Sequence, residues 1–191
     1  MNDVKLRSVM KVSREQVAEN RQKILEAAGR LFRDRGYEDV TVAEVMGAAG
    51  LTHGGFYGHF ASKEELIAET VAYTLANAPG ADRDLAAYAD AYLSTAHRDN
   101  RAGGCAFAAL GSDTVRESPE ARAAMTDSLR RQIARFALSA PGATAAERRQ
   151  AAIGSWAAMV GAVVLARLAR AEDARLSDEV LRATRAWIAK S

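Results

Sequence analysis

The chain has 191 residues, enough to bury a real core and to hold one domain or a small domain joined to a larger one. Alanine, leucine and arginine are abundant, proline occurs 3 times, and alternating β-branched runs are almost absent, which favours an all-α protein and weighs against sheet architectures. A formal net charge of +2 is too small to make the whole surface a trap for polyanions, so any affinity for nucleic acid must come from local charge.

No uncharged apolar run reaches the ~18–20 residues of a bilayer span, and the first residues lack the apolar stretch of a secretion signal. The expectation is a cytoplasmic protein with no membrane partner. The single cysteine, Cys105, rules out an internal disulfide framework and any zinc site built from several thiolates. His53 and His59 stand six apart, wrong for an i, i+4 metal pair, so no metal and no cofactor are expected.

In chain order, Lys5, Arg7, Lys11 and Arg14 form a basic arm answered only by Asp3 and Glu15; it reads as a solvated tail or as a local source of positive charge. Ser13 with Gln16 forms a capping-box pattern for a long first helix carrying Val17, Ile24, Leu25, Ala28, Leu31 and Phe32, and Gly36 supplies its stop. Thr41 with Glu44 repeats the device for a short second helix. Gly50 and Leu51 then break the chain, Thr52 opens a third, very short helix, and Ser62 with Glu65 starts a fourth. Three helix starts crowded into residues 41–65 suit a helix-turn-helix, whose second helix must protrude far enough to enter a groove.

The third helix contains Gly54, Gly55 and Gly58, each costing about 0.5–1 kcal/mol of helix stability against alanine. Two readings follow. In one, small residues let the backbone approach a nucleic acid, Phe56 and Phe60 anchor the segment, and Thr52, Tyr57, His59 and Lys63 are free to bond phosphate or bases. In the other, the segment is a glycine-rich loop over buried aromatics.

Ala78, Pro79 and Gly80 end the fourth helix, and the composition then shifts to alanine and longer apolar faces. A helix over 85–97 presents Tyr88, Tyr92 and Leu93. Gly103 and Gly104 precede a segment with Cys105, Phe107 and Leu110. Ser118 and Pro119 open a helix with Met125, Leu129, Ile133 and Phe136, ended by Pro141 and Gly142. Thr144 with Glu147 caps a long helix whose stripe runs through Ile153, Trp156, Val160, Val163, Val164 and Leu168, with Gly161 among them. A last helix offers Leu176, Val180, Leu181, Trp187 and Ile188.

With Ile24 to Ala28, Leu31, Phe32, Gly36, Tyr37, Thr41 and Val42 followed in order by Ala49, Gly50, Leu51, Thr52, Tyr57, Phe60, Ser62, Lys63 and Glu64, residues 13–66 resemble the DNA-binding domain of TetR/AcrR-type transcriptional regulators. The resemblance implies an all-α chain of about nine helices: a three-helix helix-turn-helix domain over 13–61 and an effector-binding and dimerisation bundle over 62–191. It implies phosphate contacts from Thr41, Tyr57 and Lys63, base-edge contacts from Thr52, His53 and Gly54, and support from Arg14 and His59. Gly58 stands where such regulators often carry a basic residue. The partners implied are double-stranded operator DNA, palindromic and read by a homodimer, and a small apolar or electrophilic effector. The interface would use Ile153, Val160, Gly161, Val164, Leu168, Leu181 and Trp187.

The resemblance also implies a pocket inside the carboxy-terminal bundle, with Tyr88, Tyr92, Phe107, Met125, Phe136, Trp156 and Met159 as candidate lining residues, types that are also ordinary core. No ionised cluster marks those faces, which favours an apolar or aromatic ligand. Cys105, after two glycines, is expected in the first turn of a helix, where the dipole and nearby Arg98 and Arg101 would lower its pKa and make it a sensor; the alternative is a small buried apolar residue. A Cys105 and His97 pair lacks the acid and oxyanion pattern of an enzyme. The serious alternatives to a repressor are a helical protein-interaction module and an activator of the same fold.

Overall fold

The computed structural model describes residues 14–80 and 82–190. Lys5, Arg7, Lys11 and the Ser13 cap lie outside them. Among the described residues the regular structure is helical: α1 (Arg14–Arg35), α2 (Val42–Ala48), a 3-10 helix (His53–Gly58), α3 (Lys63–Ala76), α4 (Leu85–Tyr92), α5 (Thr95–Asp99), α6 (Ala106–Thr114), α7 (Pro119–Phe136), α8 (Ala145–Ala169) and α9 (Ala174–Ile188).

The caps explain most of the boundaries. Thr41 and Thr144 form complete capping boxes with Glu44 and Glu147. The Thr41 backbone N–H, its hydroxyl and the Arg35 guanidinium hold the Glu44 carboxyl down at about 2. α2 ends in a Schellman turn: Gly50 takes φ +73°, its N–H donates to the Gly47 carbonyl, and the Leu51 N–H reaches back to Met46 at 2.9 Å. Ser118 caps α7 with Pro119 in its first turn.

Three expectations change. The third helix is a 3-10 turn, and Thr52 gives it no side-chain cap, because three glycines in six residues favour the shorter, tighter form. The helix expected over 85–97 is two, since Ser94 accepts from the His97 N–H and starts α5 anew. Val17 faces outward and takes no part in the core.

Two apolar cores result. The first joins Ile24, Phe32, Val45, Phe56 and Phe60 to Leu66 and Val71 of α3, and it continues into Leu110 of α6 and Met125 of α7. The amino-terminal core therefore does not stop at residue 61. Buried Tyr37 extends the link: Thr114 Oγ1 donates to the Leu110 carbonyl, so the Tyr37 hydroxyl donates to Thr114 at 2.9 Å. The second core gathers Phe136, Trp156, Met159, Val163 and Leu181. Beside it Arg98, 3% exposed, bonds Ser177 and Asp178 of α9 as well as Asp99, and clamps α5 to α9.

α8 is long and apolar enough, by length and composition, to cross a bilayer, because only its ends carry charge. Its inward positions, Ala152, Trp156, Met159, Val163 and Ala166, pack in the second core, and its outward face remains apolar.

Candidate nucleic-acid interface and effector chamber

The 3-10 helix is a thin element held from behind. Phe56 and Phe60 are buried and stack at 5.8 Å, and Phe56 lies under the Met46 and Val45 side of α2. Arg21 of α1 completes the mount: its guanidinium sits 4.2 Å over the Phe60 ring, donates to the His59 carbonyl and pairs with Glu69 of α3. Sequence reasoning missed Arg21, although its place one turn before the core residues Ile24 and Leu25 puts it on a face that α3 covers.

The front is open. Tyr57 is 74% exposed, its ring edge-on to Phe56 at 5.3 Å. Thr52, His53, Gly54 and Gly58 are exposed beside it. A Cβ built on Gly54 or Gly58 meets nothing within 4 Å, and neither residue has positive φ, so the protomer itself has no use for glycine there. Thr41 stands at the edge, but both its donors go to Glu44, at 2.8 Å each, so a phosphate would have to displace that carboxylate. Lys63 opens α3, half-exposed, and Arg14 is exposed at the start of α1. His59 is drawn in: it is half-buried, and its Nδ1 is enclosed without a partner.

A cavity of about 450 Å³ lies between α1, α3, α4, α7 and the turn before α6. It is a junction between the head and the bundle rather than a hollow within the bundle. Tyr88, Tyr92, Cys105, Phe107 and Trp156 are in its wall. Met125 is not, since it completes the amino-terminal core, and Phe136 and Met159 are fully enclosed in the second core. Arg30, Arg33, Arg83, His97 and Gln132 are in the wall, so the expected absence of ionised groups is corrected. The signal was on α1: Glu26, Arg30 and Arg33 recur at helical spacing around Gly29, where a Cβ would stand 2.8 Å from Thr74 Oγ1 and α3 therefore comes close.

Cys105 is the residue before α6, and a histidine does the capping its own side chain does not. The Cys105 N–H donates to His97 Nε2 at 3.1 Å, so His97 is neutral, and its Nδ1–H donates to the Tyr92 carbonyl at 2.7 Å. Burial lowers the His97 pKa, which agrees with a neutral ring. Gly104 is required here, because a Cβ would lie 2.6 Å from the Asn100 carbonyl oxygen. Arg167 fastens the same turn through the carbonyls of Arg98 and His97.

The thiol does not follow the expectation of a lowered pKa. Burial raises it, against the opposing pull of the Tyr92 hydroxyl, the amides of Ala108 and Phe107, and Arg167. Arg98 and Arg101 are engaged elsewhere, with Asp178 and with Asp34. Since backbone groups occupy both nitrogens of His97, it is no base for Cys105.

On the outer face of the bundle, Ile153, Val164 and Leu168 of α8 and Trp187 of α9 are exposed, Leu168 to 77%, with Val160 and Gly161 half-buried among them. Leu181, expected beside them, is buried in the protomer's own core.

A short second helix, a tight glycine turn and an outward-facing third helical element on a three-helix core define a helix-turn-helix protein. Residues 24–70 match the family of bacterial regulatory proteins described as the tetR family. The segment is 43% identical over 54 residues to the HTH-type transcriptional repressor KstR2 of Mycobacterium tuberculosis, covering 28% of this chain and 27% of that protein. It is 42% identical over 55 residues to the HTH-type transcriptional regulator TtgR of Pseudomonas putida, covering 29% and 26%. These matches thus span about a quarter of each relative's length. The fold match is wider: a TetR-family regulator from Agrobacterium tumefaciens superposes with a TM-score of 0.72 at 19% identity over 91% of this chain and 98% of that one. E. coli NemR in its reduced form gives 0.67 at 22% identity, over 87% and 95%. The amino-terminal segment is a tetR-family helix-turn-helix domain, and the whole chain has the fold seen in solved members.

Proposed function

We propose that the protein is a cytoplasmic, DNA-binding transcriptional repressor that reads a palindromic operator as a homodimer and releases it when a small effector fills the cavity. Residues 13–61 form the reading head and 62–191 the effector and dimerisation body. The observation that carries this is the front of the 3-10 helix. Gly54 and Gly58 weaken the element and serve no contact inside the protomer, while Tyr57 is offered to solvent. Each makes sense if a backbone and a hydroxyl must approach a phosphate or a base edge.

Tyr57 and Lys63 supply phosphate contacts, Thr52, His53 and Gly54 face base edges, and Arg14 adds charge at the flank. The apolar outward face of α8 and α9 is covered by a second copy, which sets two heads about one helical turn apart, ~34–36 Å. A bound effector touches α1 of the head and, at the same time, α3, Tyr92, Phe107 and Trp156 of the body. Ligand binding and head spacing are thereby coupled, and a ligand that prefers one spacing shifts the population towards it. Repression agrees with the function stated for KstR2.

Footprinting of the region upstream of the protein's own gene is expected to show a protected palindrome, with sedimentation giving a dimer at micromolar concentration. A persistent monomer, or no protected site in the presence of folded protein, would refute the respective claims. Cys105 faces the cavity, so an electrophilic effector would act there by adduct formation. The test compares operator release from wild type and Cys105→Ser after electrophile treatment; equal release removes the cysteine from the mechanism.

A further inference from the structure

The cavity wall is divided in its chemistry. One side is aromatic: Tyr88 and Tyr92 stack at 5.6 Å, and Trp156 stands edge-on to Tyr92 at 5.3 Å and to Phe107 at 5.6 Å. The other side is rich in donors. Arg33 of α1 is fixed by its Nε–H, which donates to the Ala102 carbonyl at 2.7 Å, and no carboxylate pairs with its remaining amino groups among the described residues. Arg30 and Arg83 add two more cations. Among the described residues Glu26 is the one carboxylate in the wall. It accepts from Gln22 and Tyr73 and lies near Arg30, so its charge is already answered.

Two further polar groups in the wall are short of partners. Gln132 Nε2 is buried without a hydrogen bond among the described residues, and the buried Tyr92 hydroxyl has only the weak Cys105 thiol beside it. Buried donors without acceptors are rare in native proteins. Here they share a cavity wall with Arg33, whose charge no carboxylate answers among the described residues, and an anionic ligand in that cavity would supply the missing acceptor. Burial also depresses the Arg33 pKa, a sign that its charge is held without full hydration.

We infer that the cavity takes a small aromatic carboxylic acid, with the carboxylate on Arg33, Gln132 and the Tyr92 hydroxyl and the ring among Trp156, Phe107 and Tyr88. The inference rests on the cavity being the effector site. A neutral apolar ligand would leave the donors unanswered, and a purely polar anion would leave the aromatic wall in contact with nothing. Because Arg33 belongs to α1, the carboxylate pulls directly on the helix that mounts the reading head.

The test titrates the protein with 2-naphthoate and with the neutral 2-naphthamide, following tryptophan fluorescence and calorimetry. The acid is expected to bind about tenfold or more tightly than the amide, as for a charge-assisted pair. Arg33→Gln should bring the two to about the same affinity, and Arg33→Lys should restore part of the difference. If Arg33→Gln does not fold, Tyr92→Phe gives the same readout, with a severalfold loss for the acid only. Equal binding of acid and amide to the wild type, indifference of the acid to these substitutions, or no saturable binding of the acid overturns the inference. A DNA arm separates it from the reading it rests on. Acid that binds through Arg33 but leaves the complex with its own upstream DNA intact keeps the ligand class and removes the effector role. Amide that releases DNA as well as the acid does the reverse.

Discussion

Two helix starts in this molecule, each just after glycine, are built in opposite ways. At the 3-10 helix, Gly50 turns the chain and Phe56 and Phe60, within the next ten residues, fasten it to the core, with Arg21 of α1 as a distant support. At α6, the amide of Cys105 is capped by His97 from another helix, and Arg167 reaches across from α8 to hold the turn. The first design leaves an outer face with no internal duty. The second leaves no free face: the same turn forms part of the cavity wall. A reading head needs the former and a ligand-sensitive joint needs the latter, because a joint tied across several helices is one that a ligand can disturb.

The largest effect expected from breaking this contrast is at Phe56. Phe56→Ala empties the local mount and should destabilise the head by about 3–5 kcal/mol in denaturant unfolding. A loss below about 1 kcal/mol would show that the mount lies elsewhere. At the joint, His97→Ala leaves the Cys105 amide and the Tyr92 carbonyl without partners and should lower stability by about 1–3 kcal/mol. It should also alter ligand affinity more than DNA affinity in the absence of ligand.

Acid tests the same joint without mutation. His97 has a folded-state pKa below its ordinary 6.5, so the unfolded chain takes up its proton first. Its contribution is present above about 6.5 and is lost as pH falls from there towards the lower native value. Wild type compared with His97→Gln by thermal melting between pH 8 and 5 should show a steeper fall for wild type; parallel curves would contradict the neutral cap. The smallest effect is the most diagnostic. Gly54→Ala adds a Cβ in open space, and should raise stability by about 0.5–1 kcal/mol while weakening DNA binding. Unchanged DNA affinity would mean that nothing approaches that backbone.

The head was legible because its information is local. Caps at Thr41 and Ser62, the turn at Gly50 and the two phenylalanines lie within about twenty residues, and their chemistry dictates geometry directly. Even there, the form of the third helix and the pull of Arg21 on His59 escaped, since both depend on α1 and α3 coming together. The cavity was only half legible. Aromatic spacing found Tyr92, Phe107 and Trp156, but the same spacing also drew in Met125, Phe136 and Met159, because a helix pattern marks what is inward and not whether space remains there. Arg33 and Gln132 lie off the apolar stripes by which the helices were read, and only the packing of α1 against the turn that holds Ala102 brings the first into the wall. For Cys105 the sequence left two readings open, a helix start that lowers the pKa and a buried thiol, and burial decides the direction.

The most direct test of the central claim is fluorescence anisotropy with DNA from the protein's own upstream region, comparing wild type with the Tyr57→Phe, Lys63→Ala double variant over a range of salt. The account predicts salt-sensitive binding by wild type, at least tenfold weaker binding by the variant, a shallower salt dependence through the loss of Lys63, and unchanged helicity and melting. Equal affinity of the two proteins, with both folded, would contradict it.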